Sequence, residues 1–139
     1  MKIRFLESFI SETGKTEFPA LSVQQPYAQM LVAGYKNKEF RNWRLPEKYV
    51  GEWILIHSST TKHGDLFGDP EKFEDFFLDY DLKNLPEHAI IGAVKFGHPE
   101  DTEFLKYRFA FPVTECVQFT TEIENVQGRL GIWKYKINI

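Results

Sequence analysis

The chain contains one cysteine, Cys116, so it can form neither an internal disulfide nor a four-cysteine zinc site. Long apolar runs are missing as well. None approaches the roughly 18 residues of a membrane-spanning helix, and Met1-Lys2-Ile3-Arg4-Phe5-Leu6-Glu7 meets charge before a signal-length apolar stretch develops. The expected setting is cytoplasmic, with no membrane partner. The four histidines, His57, His63, His88 and His98, are too scattered to form a ligand framework, and no metal is expected. Gly14-Lys15-Thr16 has the end of a phosphate-binding loop, but Phe9 stands where that loop requires its first glycine. No cofactor is expected. Internal repeats and low-complexity segments are absent, and no linker is long enough to split 139 residues into two domains.

Aromatic residues, by contrast, are plentiful. Thirteen Phe, six Tyr and three Trp make 16% of the chain, which favours a β-rich fold with a bulky core and leaves rings to stack on a planar ligand. The net charge of −3 does not suit a protein that binds polyanions over its whole surface, yet the charge is unevenly spread. Between Lys36 and Lys48, five cations face two acids, a net of +3; between Asp65 and Glu87, two lysines face eight acids, a net of −6. Such asymmetry steers an anionic ligand to one face.

Along the chain, Ile3 to Ile10 suits an added strand or a short helix, and Ser11 to Glu17 a loop. Ala20 to Val23 predicts a strand. Pro26 then opens a short helix through Tyr27, Met30 and Leu31, which Gly34 stops in a left-handed conformation. Lys38 to Arg41 predicts a strand whose alternation sets Phe40 toward the core and Glu39 with Arg41 toward a groove or solvent. The unbroken run Trp53-Ile54-Leu55-Ile56 predicts a strand covered on both faces, with His57, Ser58, Ser59 and Thr60 at its C-terminal end, placed to line a cleft. Asp69 and Pro70 begin a helix striped by Phe73, Phe76, Phe77 and Tyr80, with Glu71, Glu74 and Asp75 opposite. Strands follow at Ala89 to Phe96, at Tyr107 to Phe119 with a bend at Pro112, and at Gly131 to Ile137; Gly97 to Lys106 and Thr120 to Gln127 read as polar connections. The sum is an α+β fold of about six strands and two main helices, best accommodated by a sheet that curls into a small mixed β-barrel and so removes its exposed edges.

Two neighbouring runs carry a family resemblance. Leu21-Ser22-Val23-Gln24-Gln25-Pro26-Tyr27-Ala28 and Gly34-Tyr35-Lys36-Asn37-Lys38-Glu39-Phe40-Arg41-Asn42-Trp43 resemble the signature of the activating signal cointegrator homology (ASCH) domain. That signature is Leu-Ser-x-x-Gln-Pro-Trp-Ala followed by Gly-x-Lys-x-x-Glu-x-Arg-x-Trp. Gly51 to Ser58, Ile90 to Val94 and Gly131-Ile132-Trp133-Lys134 fit as well, so that the likeness spans roughly residues 20 to 136. It implies a PUA-like barrel over residues 20–139, with residues 1–19 as an N-terminal extension packed on it. It also implies a cleft beside the first helix lined by Lys36, Glu39 and Arg41, with Trp43, His57 and Ser58 nearby.

Members of this family are generally inferred to bind RNA or other nucleic acid, and RNA or a nucleotide is the expected partner. For such a ligand Lys36 and Arg41 would meet phosphate, Trp43 or Tyr35 a base plane, and Gln25, Glu39 and Ser58 a base edge. Some small bacterial members instead hydrolyse N4-acylated cytidine, and some cleave RNA. Those amidohydrolases carry Gly-x-Lys-Thr-x-Thr-x-Arg, with the lysine and second threonine catalytic. Here Lys36 and Arg41 match that pattern, but Glu39 replaces the second threonine, and no motif locates the family's distant catalytic glutamate. If the protein is an enzyme, Lys36 and Glu39 are the catalytic candidates. A lysine beside a carboxylate acts as base or nucleophile only where its surroundings favour the neutral amine; Arg41 favours it and Glu39 opposes it. A third reading is a protein-interaction module that uses the Phe73 helix or the acidic segment.

Overall fold

The computed structural model describes residues 2–138. Its elements run β1 (Ile3–Arg4), α1 (Leu6–Thr13), β2 (Glu17–Gln25), α2 (Tyr27–Ala33), β3 (Lys38–Arg41), β4 (Trp53–Thr61), α3 (Pro70–Asp79), β5 (Ala89–Phe96), β6 (Glu100–Asp101), β7 (Phe109–Ile123) and β8 (Ile132–Lys136). The α+β class stands. The expected six strands become eight and the two helices three, because β1 and β6 are two-residue strands and the stretch read as an added strand or a short helix supplies both, β1 at Ile3–Arg4 and then α1, which runs three residues into the expected loop.

The main hydrogen-bonded path is β1-β7-β5-β4-β2-β8, with β3 and β6 attached to β7 off that path. β2 lies parallel to β4 and β1 parallel to β7, while the remaining pairs are antiparallel. The sheet does not close into a barrel, and β7 explains why. Its first residues, Phe109 to Pro112, pair with β3, while Val113 onward pairs with β5. At the join, Lys95 and Phe96 face Glu115 and Val113, so one extra residue, Thr114, bulges beside Pro112. The strand therefore serves two surfaces, and β3 is carried to the neighbourhood of β2 without pairing with it.

β4 is covered on both faces, as its unbroken apolar run predicts. Ile54 and Ile56 join a core with Leu21, Leu31, Val32, Val94, Phe96 and Phe111 under α2. Leu55 faces the other way, into a core with Phe9 of α1, Phe18, Ala93, Val117, Phe119 and Trp133. Phe9 is held edge-on by Trp53 and Phe119 at ring separations of 5.4 and 5.1 Å. Trp133, Tyr135 and Ile137 share the face expected of them. The boundary read after residue 19 falls inside β2.

α2 has only seven residues, too few to be stable on its own propensity, and packing holds it. Gly92 of β5 permits the close approach: a Cβ there would lie 2.2 Å from the Val117 carbonyl oxygen and 2.8 Å from Val32 of the helix. Gly34 ends α2 at φ 87°, and the next turn folds back, with Tyr35 and Lys36 both donating backbone N–H groups to the Met30 carbonyl. That reversal delivers Lys36 to the mouth of the groove between α2 and β3. Asp69 caps α3 by accepting from the Glu71 N–H at 2.9 Å. Phe76 is fully buried against Met30 and Leu85, with Phe73 and Tyr80 beside it. Phe77, expected in the same stripe, is 38% exposed.

Candidate functional site

A cavity of about 720 Å³ opens between β2 and β3, where the sheet leaves its seam. Ser22, Val23 and Gln24 supply one wall, and β3 supplies Glu39, Phe40 and Arg41. A register irregularity of β2 against β4 between Val23 and Gln25 flanks Gln24. Tyr27 and Lys36 close the α2 end. Two loops complete the rim, with Lys62 and Phe67 on one and Phe104, Leu105, Lys106 and Tyr107 on the other.

Glu39 is the centre of the polar floor. It is buried, at 6% exposure, and both carboxylate oxygens are engaged. Lys36 Nζ lies 3.2 Å from Oε1, while Arg41 donates to Oε2 from Nε at 3.0 Å and from Nη2 at 2.8 Å. Arg41 Nη2 also donates to the Ser22 carbonyl at 2.9 Å, spanning the seam that no backbone ladder closes. Lys36 Nζ donates in addition to the Lys38 carbonyl, and it sits 5.0 Å from the centre of the Phe40 ring. Burial is the largest influence on Glu39 and would raise its pKa. The charges of Lys36 and Arg41, with their hydrogen bonds, together outweigh it and leave the carboxyl below its ordinary value. A carboxylate in that condition is a fixed anion.

The expected orientation of Phe40 is corrected. Glu39 turns inward because two cations compensate it there, and Phe40 is only half-buried. Its partners are loop rings, Phe104 at 4.6 Å and Tyr107 at 6.0 Å between centroids, and it forms a wall of the cavity. Tyr27 stands at the α2 end, its hydroxyl accepting the Phe67 N–H at 3.0 Å; burial raises its pKa, an effect the Phe67 bond opposes.

Of the residues expected at the cleft, Lys36, Glu39 and Arg41 converge on it. Trp43, Gln25, His57 and Ser58 do not line it. Trp43 packs edge-on to Phe111 at 5.4 Å, and the Arg41 guanidinium lies 5.9 Å from its ring, so it backs the arginine from the protein side. Gln25 is fully buried, donating from Nε2 to the Pro86 carbonyl and accepting the Gln29 N–H at Oε1. His57 is also buried. Its Nδ1 lies 3.0 Å from Ser22 Oγ and its Nε2 2.7 Å from the Val126 carbonyl oxygen; burial lowers its pKa, the Val126 contact opposes that, and His88 adds to it. Ser58 Oγ donates to the Ala89 carbonyl at 3.2 Å. His57 and Ser58 stand inside the fold because β4 runs on to Thr61 as a central strand, so its end lies further along than the sequence suggested.

Residues that pattern reading passed over are the loop rings and loop cations. Phe104 and Lys106 lie in or beside a stretch read as polar connection, and Lys62 and Phe67 lie in loops with no periodicity to mark them. The alternation of aromatic and basic types in Phe104-Leu105-Lys106-Tyr107-Arg108 was the available signal. Together, the charged residues of the lining are Lys36, Arg41, Lys62 and Lys106 against Glu39, a net of +3. The acidic chain thus carries a basic, aromatic-walled cavity.

Fold and cavity define a mixed α+β domain with a cationic cleft beside a short helix. Residues 21–135 match the ASCH domain family, and the chain belongs to that family, a PUA-like fold associated with RNA binding. The search of curated proteins finds no match. Among the described residues, no helix is long and apolar enough to cross a membrane, and no group of three or more His, Cys, Asp or Glu residues that could hold a metal ion is found.

Proposed function

We propose that the protein binds single-stranded RNA or a nucleotide in the cavity between β2 and β3. The observation that carries this reading is the sign of the cavity: a net of +3 in its lining, within a chain of net −3. Phosphate needs the cations, and the base needs a plane. Phe40, Phe67, Phe104 and Tyr107 offer planes around the same space, and base stacking on a protein ring is worth about 1–3 kcal/mol. Lys36 and Arg41, anchored by Glu39, fix the inner positive charge. Lys62 and Lys106 supply the outer charge.

The outer pair gives the cleaner test, since neither is held by a buried partner. Lys62→Ala and Lys106→Ala are expected to weaken binding of labelled single-stranded RNA in anisotropy titrations. Each should also flatten the dependence on salt by about 0.7 in logarithmic slope for every phosphate it no longer neutralises. Their melting temperatures should match the wild type. Unchanged affinity and slope in both variants would refute the reading. Hydrolysis of a modified nucleoside or of RNA, the alternative, draws less support from this site. Glu39, one of its two candidate groups, is held by two cations and made more acidic, which suits it poorly to accepting a proton. Formation of cytidine from N4-acetylcytidine, abolished in Lys36→Ala, would reverse that preference.

A further inference from the structure

A second cavity of about 330 Å³ adjoins the first, and the two share Lys36, Phe40, Phe67 and Phe104 in their linings. The second extends toward α3, where its own lining includes Lys38, Lys72 and Phe73, with Asp69 as the one acid. Asp69 caps α3 and Lys38 is paired with Glu100 at 3.4 Å, so the cations left to meet an anion in this chamber are Lys36 and Lys72. Its walls are aromatic in the same manner, with Tyr35 and Phe73 lining it beside the shared rings.

The shared wall is what gives the arrangement a direction. Lys36 has three ammonium hydrogens; Glu39 and the Lys38 carbonyl engage two of them. A third hydrogen is left for an anion at the junction of the cavities. Phe67, 48% exposed, stands at the same junction. A planar group on each side of an aromatic wall, with an anion between them over a lysine, is the outline of two successive nucleotides.

We infer that the ligand is at least a dinucleotide, with one base in each cavity and the bridging phosphate at Lys36. The inference rests on the proposed binding of RNA or a nucleotide in the larger cavity. It sets a minimum ligand length and makes Lys72 and Phe73 contacts for the second nucleotide.

The test compares three classes of probe by calorimetric titration of the full chain: nucleoside 5′-monophosphates, nucleoside 3′,5′-bisphosphates, and 5′-phosphorylated dinucleotides, each with all four ribonucleosides represented. The bisphosphate carries the bridging phosphate without the second base. The dinucleotide should bind about tenfold more tightly than the bisphosphate with the same first base, the scale of one stacked base. Asn37→Trp, which places a bulky ring in the second cavity's lining, should remove that gain while monophosphate affinity stays within twofold of wild type, and Lys72→Glu on the exposed side of α3 should remove the gain as well. Equal affinity for bisphosphate and dinucleotide in the wild-type protein would overturn the inference and leave binding in the larger cavity intact. A dinucleotide gain that survives both variants would overturn it as well. Failure of all three probes to bind would overturn the reading of the larger cavity and this inference with it.

Discussion

Replacing Glu39 with glutamine keeps the shape of the site and removes its central charge. The carboxylate accepts three charge-assisted hydrogen bonds, at 3.2, 3.0 and 2.8 Å, and a glutamine can satisfy only part of them. One oxygen becomes an NH2 group directed at a cation, so either Lys36 or Arg41 is deprived of its acceptor. Breaking a buried pair by removing one partner costs about 3–5 kcal/mol. The cations here keep 17% and 23% side-chain exposure, so water recovers some of that loss, and about 2–3 kcal/mol is the expected destabilisation at pH 7. For a chain of this size that corresponds to a fall in melting temperature of about 8–12 °C.

Binding should move the opposite way. Without Glu39 the lining holds four positive charges and no negative one, and an additional unit of net charge at a distance of about 6 Å is worth about 1 kcal/mol after solvent and salt screening. Glu39→Gln is therefore expected to bind single-stranded RNA about fivefold more tightly while being the less stable protein. Urea denaturation and anisotropy on the same preparations check the two halves. The acid limb adds a third check. Since the fold lowers the pKa of Glu39, its contribution is complete above the unfolded value of 4.5 and is lost as pH falls through the lower folded value. The stability gap between wild type and variant should accordingly shrink below about pH 4.5. A variant as stable as wild type would refute the role of Glu39 as anchor. Weaker RNA binding by a folded variant would show instead that the orientation Glu39 gives Lys36 and Arg41 outweighs the charge it cancels.

Two further outcomes follow from buried positions. Gly92→Ala places a Cβ 2.2 Å from a backbone oxygen of β7 and 2.8 Å from Val32; neither strand nor helix can yield that distance, and a loss of about 3 kcal/mol or more is expected in chemical denaturation, with wild-type stability refuting the packing of α2 on β5. Burial is the chief cause that lowers the pKa of His57, so its folded value lies below the unfolded 6.5. The unfolded chain takes up the proton first, and stability should decline as pH drops from 6.5 toward the folded value; His57→Gln should flatten that segment of the stability profile, and an unaltered profile would show that His57 titrates alike in both states.

Local rules made much of the fold legible. Gly34 and Asp69 ended and began helices as their chemistry requires, and the apolar runs at Trp53 and Ala89 became the adjacent central strands β4 and β5. What escaped was non-local. Strand alternation gave Glu39 and Arg41 a common face but could not tell which face was inward, because compensation of Glu39 depends on Lys36 arriving from the turn after Gly34. The same limit applied to His57 and Ser58. Their polarity suggested a cleft, yet the partners that absorb it, Ser22, Val126 and Ala89, lie 31 or more residues away in the chain. Closure of the sheet was misjudged for a similar reason, since a fifteen-residue strand shared between two surfaces has no mark in the sequence beyond Pro112.

On the proposed function, the placement of charge lets an acidic protein hold an anion selectively. Lys36 and Arg41 both approach Glu39, and without the carboxylate their mutual repulsion would drive them apart into solvent, where long side chains lose their definition. With it, both are fixed against β3, and Arg41 is further braced by Trp43 and the Ser22 carbonyl. Glu39 thus cancels one unit of charge and in return orients two. On the proposed function, attraction over distance is then left to Lys62 and Lys106 at the rim, and the fixed inner cations set the place of a phosphate. Position and attraction are carried by different residues, and only the inner pair depends on the turn that follows Gly34.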